Sequence, residues 1–208
     1  MPTKGYSVFI VEDDSAVRDA LSLLLGLQGH AVTLFADAES FLKAYRPDWR
    51  GCVLIDIRMP GLDGLALQKL LLQRGCALPA ILITGHGDVD SAREAFRADA
   101  VDFLEKPIDY TKLMNAIDEA FSRQTASQDA EKHSTEAERL LASLTPREHE
   151  VMERVVSGRH NREIAEELGI SARTVEVHKA RMMSKLHVSG IPDLVRLSLT
   201  GRSAKGVQ

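Results

Sequence analysis

Apolar positions along the chain follow two rhythms. Over residues 6–120, short apolar runs at 6–11, 31–35, 52–55, 80–83 and 101–104 alternate with longer segments at 15–27, 38–45, 65–72, 89–97 and 110–123. In the first of the longer segments, Val17, Leu21, Leu24 and Leu25 recur at helical spacing, as on the inward face of an amphipathic helix. Near-continuous apolar strands separated by helices predict a parallel sheet covered on both faces. Five such β-α units give a doubly wound α/β domain of about 120 residues.

The second rhythm is purely helical. Residues 124–143, QTASQDAEKHSTEAERLLAS, are polar and lack Gly and Pro, so they read as a helix-competent linker rather than a Gly/Ser coil. The last helix of the first domain is expected to run some way into it. Thr145-Pro146-Arg147-Glu148 supplies a cap, Pro at the first helical position and Glu at the third, which start a helix ending near Ser157 before Gly158. Asn161 is the expected cap of a helix over 162–168 that Gly169 ends, and Ser171 caps a third over 172–187. Gly190 and Pro192 open a fourth, to about Leu199. Short helices joined by a Gly-containing turn predict a helix-turn-helix. The expected organisation is a first domain over 1–123, a linker over 124–143 and a small all-α domain of four helices over 144–208.

Composition alters this picture in one respect. The 208 residues carry a net charge of −4, which taken alone argues against a nucleic-acid binder. Up to residue 120, however, 12 Lys and Arg face 18 Asp and Glu, a net of −6, whereas from Ser171 onward 7 face 2, a net of +5. Acidity belongs to the first domain and positive charge to the last helices. No apolar run reaches the 18 or so residues that cross a membrane. The opening MPTKGYSVFIVEDD places acids directly behind a short apolar run, unlike a secretory signal. Cys52 and Cys76 lack a CxxC partner and read as reduced thiols. A cytoplasmic protein is expected.

In open parallel sheets, ligands bind outside the carboxyl ends of the strands. There the first strand delivers Glu12, Asp13 and Asp14, the third Asp56, the fourth Thr84, and the fifth is followed by Lys106-Pro107. Asp14 or Ser15 can equally serve as a helix cap. Clustered carboxylates repel and raise one another's pKa, and Mg²⁺, which prefers carboxylate oxygens and phosphate, resolves that. Asp56 is then a candidate carboxylate nucleophile forming an acyl phosphate, with Lys106 and Thr84 positioned to bind phosphoryl oxygens. The run Thr84-Gly85-His86-Gly87-Asp88 lacks the Lys and spacing of a P-loop and reads as a strand-to-helix connection, with His86 exposed. Glu12-Asp13, Asp56 before Met59-Pro60 and Gly64, Thr84, and Lys106-Pro107 together resemble the receiver domain of two-component response regulators, over about residues 5–122. The resemblance implies a flavodoxin-like sheet of order 2-1-3-4-5, phosphorylation at Asp56, and Mg²⁺ held by Glu12, Asp13, Asp56 and the backbone carbonyl of Arg58. It also implies Thr84 as switch hydroxyl, Phe103 as the rotating aromatic and a cis Lys106–Pro107 bond. Glu12 departs from the commoner Asp. The run 83–89, ITGHGDV, is similar to the FixJ subgroup.

On the third C-terminal helix, 100° steps place Val175, Lys179, Met182 and Leu186 within about 40° of one direction. Arg173, Val177, Ala180, Arg181 and Ser184 fall opposite, with Glu176 at the flank. That face suits major-groove readout: Arg to guanine, Val to a thymine methyl, Glu to cytosine. Thr174 lies within reach of a phosphate, and Lys179 can snorkel to one. The four histidines of this region, His149, His160, His178 and His187, do not form a metal set. Residues 144–148 (LTPRE), 161–165 (NREIA) and 174–178 (TVEVH) resemble the LuxR/FixJ/NarL-type DNA-binding domain, whose members often carry Lys where Glu176 stands.

The combined resemblance implies a phosphorylation-dependent transcription regulator, not an enzyme beyond its own phosphorylation chemistry. Its partners would be a sensor histidine kinase, promoter DNA and RNA polymerase, and it would form a homodimer on phosphorylation. Half-sites about one helical turn apart are expected, and activation is the expected mode. Before phosphorylation, either the receiver masks the DNA helix or the domains are apart. A metal-dependent phosphohydrolase is the enzymatic alternative; it lacks a second acid two residues after Asp56, where Arg58 stands. An RNA-binding output is the other, disfavoured by the absence of stacking aromatics on the third helix.

Overall fold

The computed structural model describes residues 5–85 and 99–203, and contacts divide the chain into two units, Met1–Ser127 and Gln128–Gln208. In the first, strands β1 (Ser7–Val11), β2 (Ala31–Phe35), β3 (Gly51–Asp56), β4 (Ala80–Thr84) and β5 (Asp102–Glu105) form one parallel sheet of order β2-β1-β3-β4-β5. This is the expected order. Helices α1 (Ser15–Leu27), α2 (Ala38–Ala44) and α3 (Gly64–Gln73) connect the early strands, and α4 (Tyr110–Ala142) follows the last. The helix expected over 89–97, and His86 before it, lie outside the described residues.

Side chains of a strand alternate between faces, and the core divides accordingly. Val8, Ile10, Leu54, Ile81 and Ile83 bury one face against Leu21 and Leu25 of α1 and Leu113 and Ile117 of α4. Phe9, Val11, Val53, Ile55 and Leu82 bury the other against Phe41 and Leu67. The edge strand β2 is half-exposed to exposed. Each early helix starts on an aspartate: Asp14 Oδ1 accepts from the Ala16 N–H at 2.8 Å, Asp37 from Ser40 at 2.6 Å and Asp63 from Ala66 at 2.8 Å. These bonds satisfy N–H groups left open by the first turn, and Asp14 is thus the cap of α1.

The second unit holds the end of α4 and helices α5 (Pro146–Val156), α6 (Asn161–Leu168), α7 (Ala172–Lys185) and α8 (Ile191–Ser203). Val151, Met152, Val155, Ile164, Val175, Met182, Leu186 and Leu194 form its core, with Leu140, Leu141 and Leu144 packed on it. Thr145 and Glu148 form a reciprocal capping box. Gly169 closes α6 in the left-handed region at φ 65°, where a Cβ costs energy. Three expectations are corrected. Asn161 is the first residue of α6 rather than its cap; the His160 N–H donates to Glu163 Oε2 at 2.7 Å. The third helix stops at Lys185, because His187 turns to φ 54°. The fourth begins at Ile191 and extends past Leu199 to Ser203.

Candidate functional site

Parallel strands in register end together, so β1, β3 and β4 deliver Glu12, Asp56 and Thr84 to one edge of the sheet. Glu12, Asp56 and Thr84 are all buried, whereas Asp13 is exposed. One oxygen each of Glu12, Asp13 and Asp56 lies within 4.8 Å of the others. The chain after β5 turns through a cis Lys106–Pro107 bond, with the Lys106 N–H held by the Thr84 carbonyl at 2.7 Å. Lys106 Nζ then lies 2.8 Å from Glu12 Oε2 and 3.1 Å from Asp56 Oδ1. Two acids and one cation are thus drawn together from strands far apart in sequence.

The electrostatics follow from burial. Desolvation pushes the Glu12 carboxyl above its ordinary pKa; the Lys106 hydrogen bond opposes this and the Asp56 charge adds to it. Asp56 is likewise raised, by burial first, against the pull of Lys106 and the Arg58 N–H. Burial alone would lower Lys106, but its contacts with the Glu12 and Asp56 carboxylates prevail and raise it. Lys106 Nζ is an ion-pair partner of the buried Asp56 Oδ1, an oxygen that no well-formed hydrogen bond reaches among the described residues. An under-coordinated carboxylate oxygen, beside two further carboxylates, is the donor set a hard divalent cation requires. The residues present fit Mg²⁺, which receiver domains bind at such a pocket.

The remaining sequence candidates are placed as follows. Arg58 is exposed, two residues beyond Asp56. Gly64 starts α3 directly beneath this turn, its N–H donating to the Ile57 carbonyl at 2.9 Å. A Cβ on Gly64 would lie 2.2 Å from the Asp56 carbonyl oxygen, so only glycine allows α3 to approach the strand that ends in Asp56. Phe103 sits on β5 opposite Leu82 and packs half-buried on the second core cluster. Geometry adds one residue at the site, Arg18, and one buried amide in the core of the first unit, Gln124. Arg18 Nη1 donates to the carbonyls of Glu12 at 2.7 Å and Asp13 at 3.2 Å. Gln124 is buried, its Oε1 accepting from the Gly51 N–H at 2.5 Å and its Nε2 donating to the Ala77 carbonyl at 3.4 Å.

In the second unit, α7 buries Val175 and Met182, with Leu186 buried just past its end, and exposes Arg173, Glu176, Val177, Ala180, Arg181 and Ser184. Val177 is 43% exposed, a large apolar side chain with no fold role. Among the described residues no ion pair engages Arg173 or Arg181. Lys179 and Thr174 are half-buried, and the Thr174 hydroxyl lies 2.8 Å from that of Ser171. Ser171 Oγ accepts from the Thr174 N–H at 3.1 Å, which starts the helix.

Two family models, curated relatives and solved structures match the chain. Residues 8–118 match the response regulator receiver domain, and residues 142–198 match the bacterial regulatory proteins of the luxR family. The chain is 42% identical over 199 residues to the transcriptional regulatory protein FixJ of Bradyrhizobium diazoefficiens, covering 96% of this chain and 97% of that one. It is 38% identical over 197 residues to the transcriptional regulatory protein TdiR of Thauera aromatica, covering 95% and 87%. Among solved structures, it is similar to the response regulator StyR, with a TM-score of 0.82 at 38% identity over 93% of this chain and 98% of that one. Full-length FixJ from B. japonicum gives a TM-score of 0.58 at 42% identity over 97% and 98%.

Proposed function

The chain belongs to the response regulators that join a receiver domain to a LuxR-family DNA-binding domain, and from that membership we propose a role for each residue of its two sites. As a member it is a phosphorylation-dependent transcription regulator, with a histidine kinase and promoter DNA as partners. The observation carrying the assignment is the convergence of Glu12, Asp13 and Asp56 within 4.8 Å beside Lys106.

Asp56 is the phospho-acceptor. Its carboxylate oxygen attacks the phosphorus of a kinase phosphohistidine; the phosphorus–nitrogen bond breaks, the imidazole keeps the electron pair, and an acyl phosphate forms. Glu12, Asp13, Asp56 and the Arg58 carbonyl would hold Mg²⁺, which would supply charge neutralisation for the transferring phosphoryl group. Lys106 moves from its carboxylate partners to a phosphoryl oxygen, and the Thr84 hydroxyl hydrogen-bonds another. Phe103 follows Thr84 inward, and the surface around β5 changes. The protein catalyses only its own phosphorylation and dephosphorylation.

Receivers then pair, and two copies of α7 enter successive major grooves. Arg173, Glu176, Val177 and Arg181 read base edges, while Thr174 and Lys179 hold phosphates. The regulator acts in the cytoplasm, as an activator in contact with RNA polymerase. Acetyl-phosphate labelling tests the acceptor: Asp56→Asn abolishes it, and persistent labelling of that variant would overturn the assignment.

A further inference from the structure

We propose that Arg18 is a positioning residue for the phosphorylation site, holding the backbone of Glu12 and Asp13 so that the Asp13 carboxylate stays aimed at the metal position. This rests on the reading of the acidic cluster given above.

Arg18 lies in α1, yet its side chain turns back six residues. One nitrogen, Nη1, bridges the carbonyls of Glu12 at 2.7 Å and Asp13 at 3.2 Å. The helix does not need this contact for its own start. Asp14 already caps α1 through the N–H groups of Ala16 and Val17, at 2.8 and 3.4 Å. A cation folded toward a helix N-terminus also runs against the helix dipole. The contact must be favoured by what it holds, two consecutive carbonyls of the loop between β1 and α1.

The two acids of that loop differ in how they are held. Glu12 is buried, its Oε2 bonded to Lys106 Nζ at 2.8 Å and its Oε1 3.3 Å from the Asp14 N–H. Its backbone N–H is fixed on the Phe35 carbonyl at 3.1 Å. Asp13 is exposed, and among the described residues no hydrogen bond or ion pair holds its carboxylate. Its direction therefore depends on its backbone. That backbone is held at the two carbonyls flanking the Asp13 Cα, both of which Arg18 binds. Without Arg18 those carbonyls turn to water, the peptide planes rotate, and Asp13 leaves the cluster while Glu12 and Asp56 stay paired with Lys106.

Partners that orient a metal ligand without touching the metal change affinity by about 10- to 100-fold when removed. The test is direct Mn²⁺ binding to the full-length protein, read by electron paramagnetic resonance of the free ion. Asp56→Asn serves as the site control. Arg18→Met, which keeps the apolar stem, is expected to weaken Mn²⁺ binding about 10-fold. Its metal-free melting temperature should stay near that of the wild type. Arg18→Lys is expected to recover most of the affinity, since a single ammonium can bridge both carbonyls as Nη1 does. Asp13→Asn should weaken wild type more than it weakens Arg18→Met, because the two act on one interaction. Equal Mn²⁺ affinity of wild type and Arg18→Met overturns the inference alone. So does Arg18→Lys being as impaired as Arg18→Met. A wild-type chain that binds no Mn²⁺ overturns the acidic site and this inference with it. Should Arg18→Met not fold, Arg18→Gln carries the same comparison.

Discussion

Lys185 Nζ lies 2.6 Å from Glu148 Oε2, so the end of α7 is tied to the capping box that opens α5. The same oxygen accepts from the Thr145 N–H at 2.9 Å. The Lys185 hydrogen bond first, then that of Thr145, hold the Glu148 carboxyl at a pKa of about 2. The carboxylate is covered by these two partners rather than deeply embedded, so burial raises it less than the bonds lower it. A depressed native pKa contributes stability above the ordinary carboxylate range, and that stability is lost as pH falls toward 2. Hydrogen exchange of α5 and α7 amides in the full chain should lose protection over that window. Glu148→Gln should flatten the loss and reduce protection at pH 7 by about 1–3 kcal/mol.

Gln124 should behave as a core residue of the first unit. Removing its amide leaves the Gly51 N–H and the Ala77 carbonyl without that partner. An unmet buried polar group costs about 1–3 kcal/mol, so Gln124→Ala should lower the melting temperature of the receiver. The single tryptophan, Trp49, stacks on Phe9 at 4.2 Å and reports that transition by fluorescence. Gln124→Glu should be worse than Gln124→Ala, because it buries a charge beside a carbonyl.

What was legible in the sequence followed from period and position. Strands with both alternating sets buried read as continuous apolar runs, and their carboxyl ends predicted which side chains would meet. Gln124 was not legible, because a buried amide inside a polar run has no signature; its burial depends on where α4 crosses the starts of β3 and β4. Arg18 was equally silent, since a hydrogen bond back to main-chain carbonyls leaves no residue pair to notice. The start of α6 was misplaced by one residue. The Glu163 carboxylate, not the Asn161 side chain, supplies the bond at that helix start.

Gly64 is where the turn after Asp56 depends on a missing side chain. A Cβ there meets the Asp56 carbonyl at 2.2 Å and the Ile57 Cα at 2.8 Å, both backbone and unable to yield as a flexible side chain would. Gly64→Ala must therefore push α3 away from the turn that carries Asp56 and Arg58. Overpacking of this kind costs about 1–3 kcal/mol. Acetyl-phosphate labelling of the variant should fall more than its stability does, because the displaced atoms belong to Asp56 itself. Wild-type labelling rates would show that the turn tolerates the shift.

Mg²⁺ should stabilise the receiver by mass action, about 2.7 kcal/mol at a hundredfold excess over its dissociation constant. The Glu12 and Asp56 carboxyls are raised by burial, and a proton competes with the metal for each. Metal stabilisation should therefore weaken as pH falls, beginning above the ordinary carboxylate range rather than within it. Thermal melts with and without Mg²⁺ across this pH range measure the effect. Chelation should return the wild-type melting temperature to its metal-free value while leaving Asp56→Asn unchanged.

The exposed face of α7 separates two kinds of DNA contact that one experiment distinguishes. Arg181 projects from mid-helix with no ion pair among the described residues, beside the exposed Val177. Lys179 is half-buried one turn beyond Val175. A base contact by Arg181 predicts that Arg181→Ala costs about 1–3 kcal/mol and relaxes preference at one base pair. A phosphate contact by Lys179 predicts that Lys179→Ala weakens every sequence alike and lowers the salt slope by about one. A cytosine contact by Glu176, acidic on an otherwise basic face, predicts that Glu176→Lys shifts selection at that position toward guanine. Selection from a random duplex pool, repeated for each variant at fixed salt, reads all three outcomes. A uniform loss for Arg181→Ala would move it to the phosphate set.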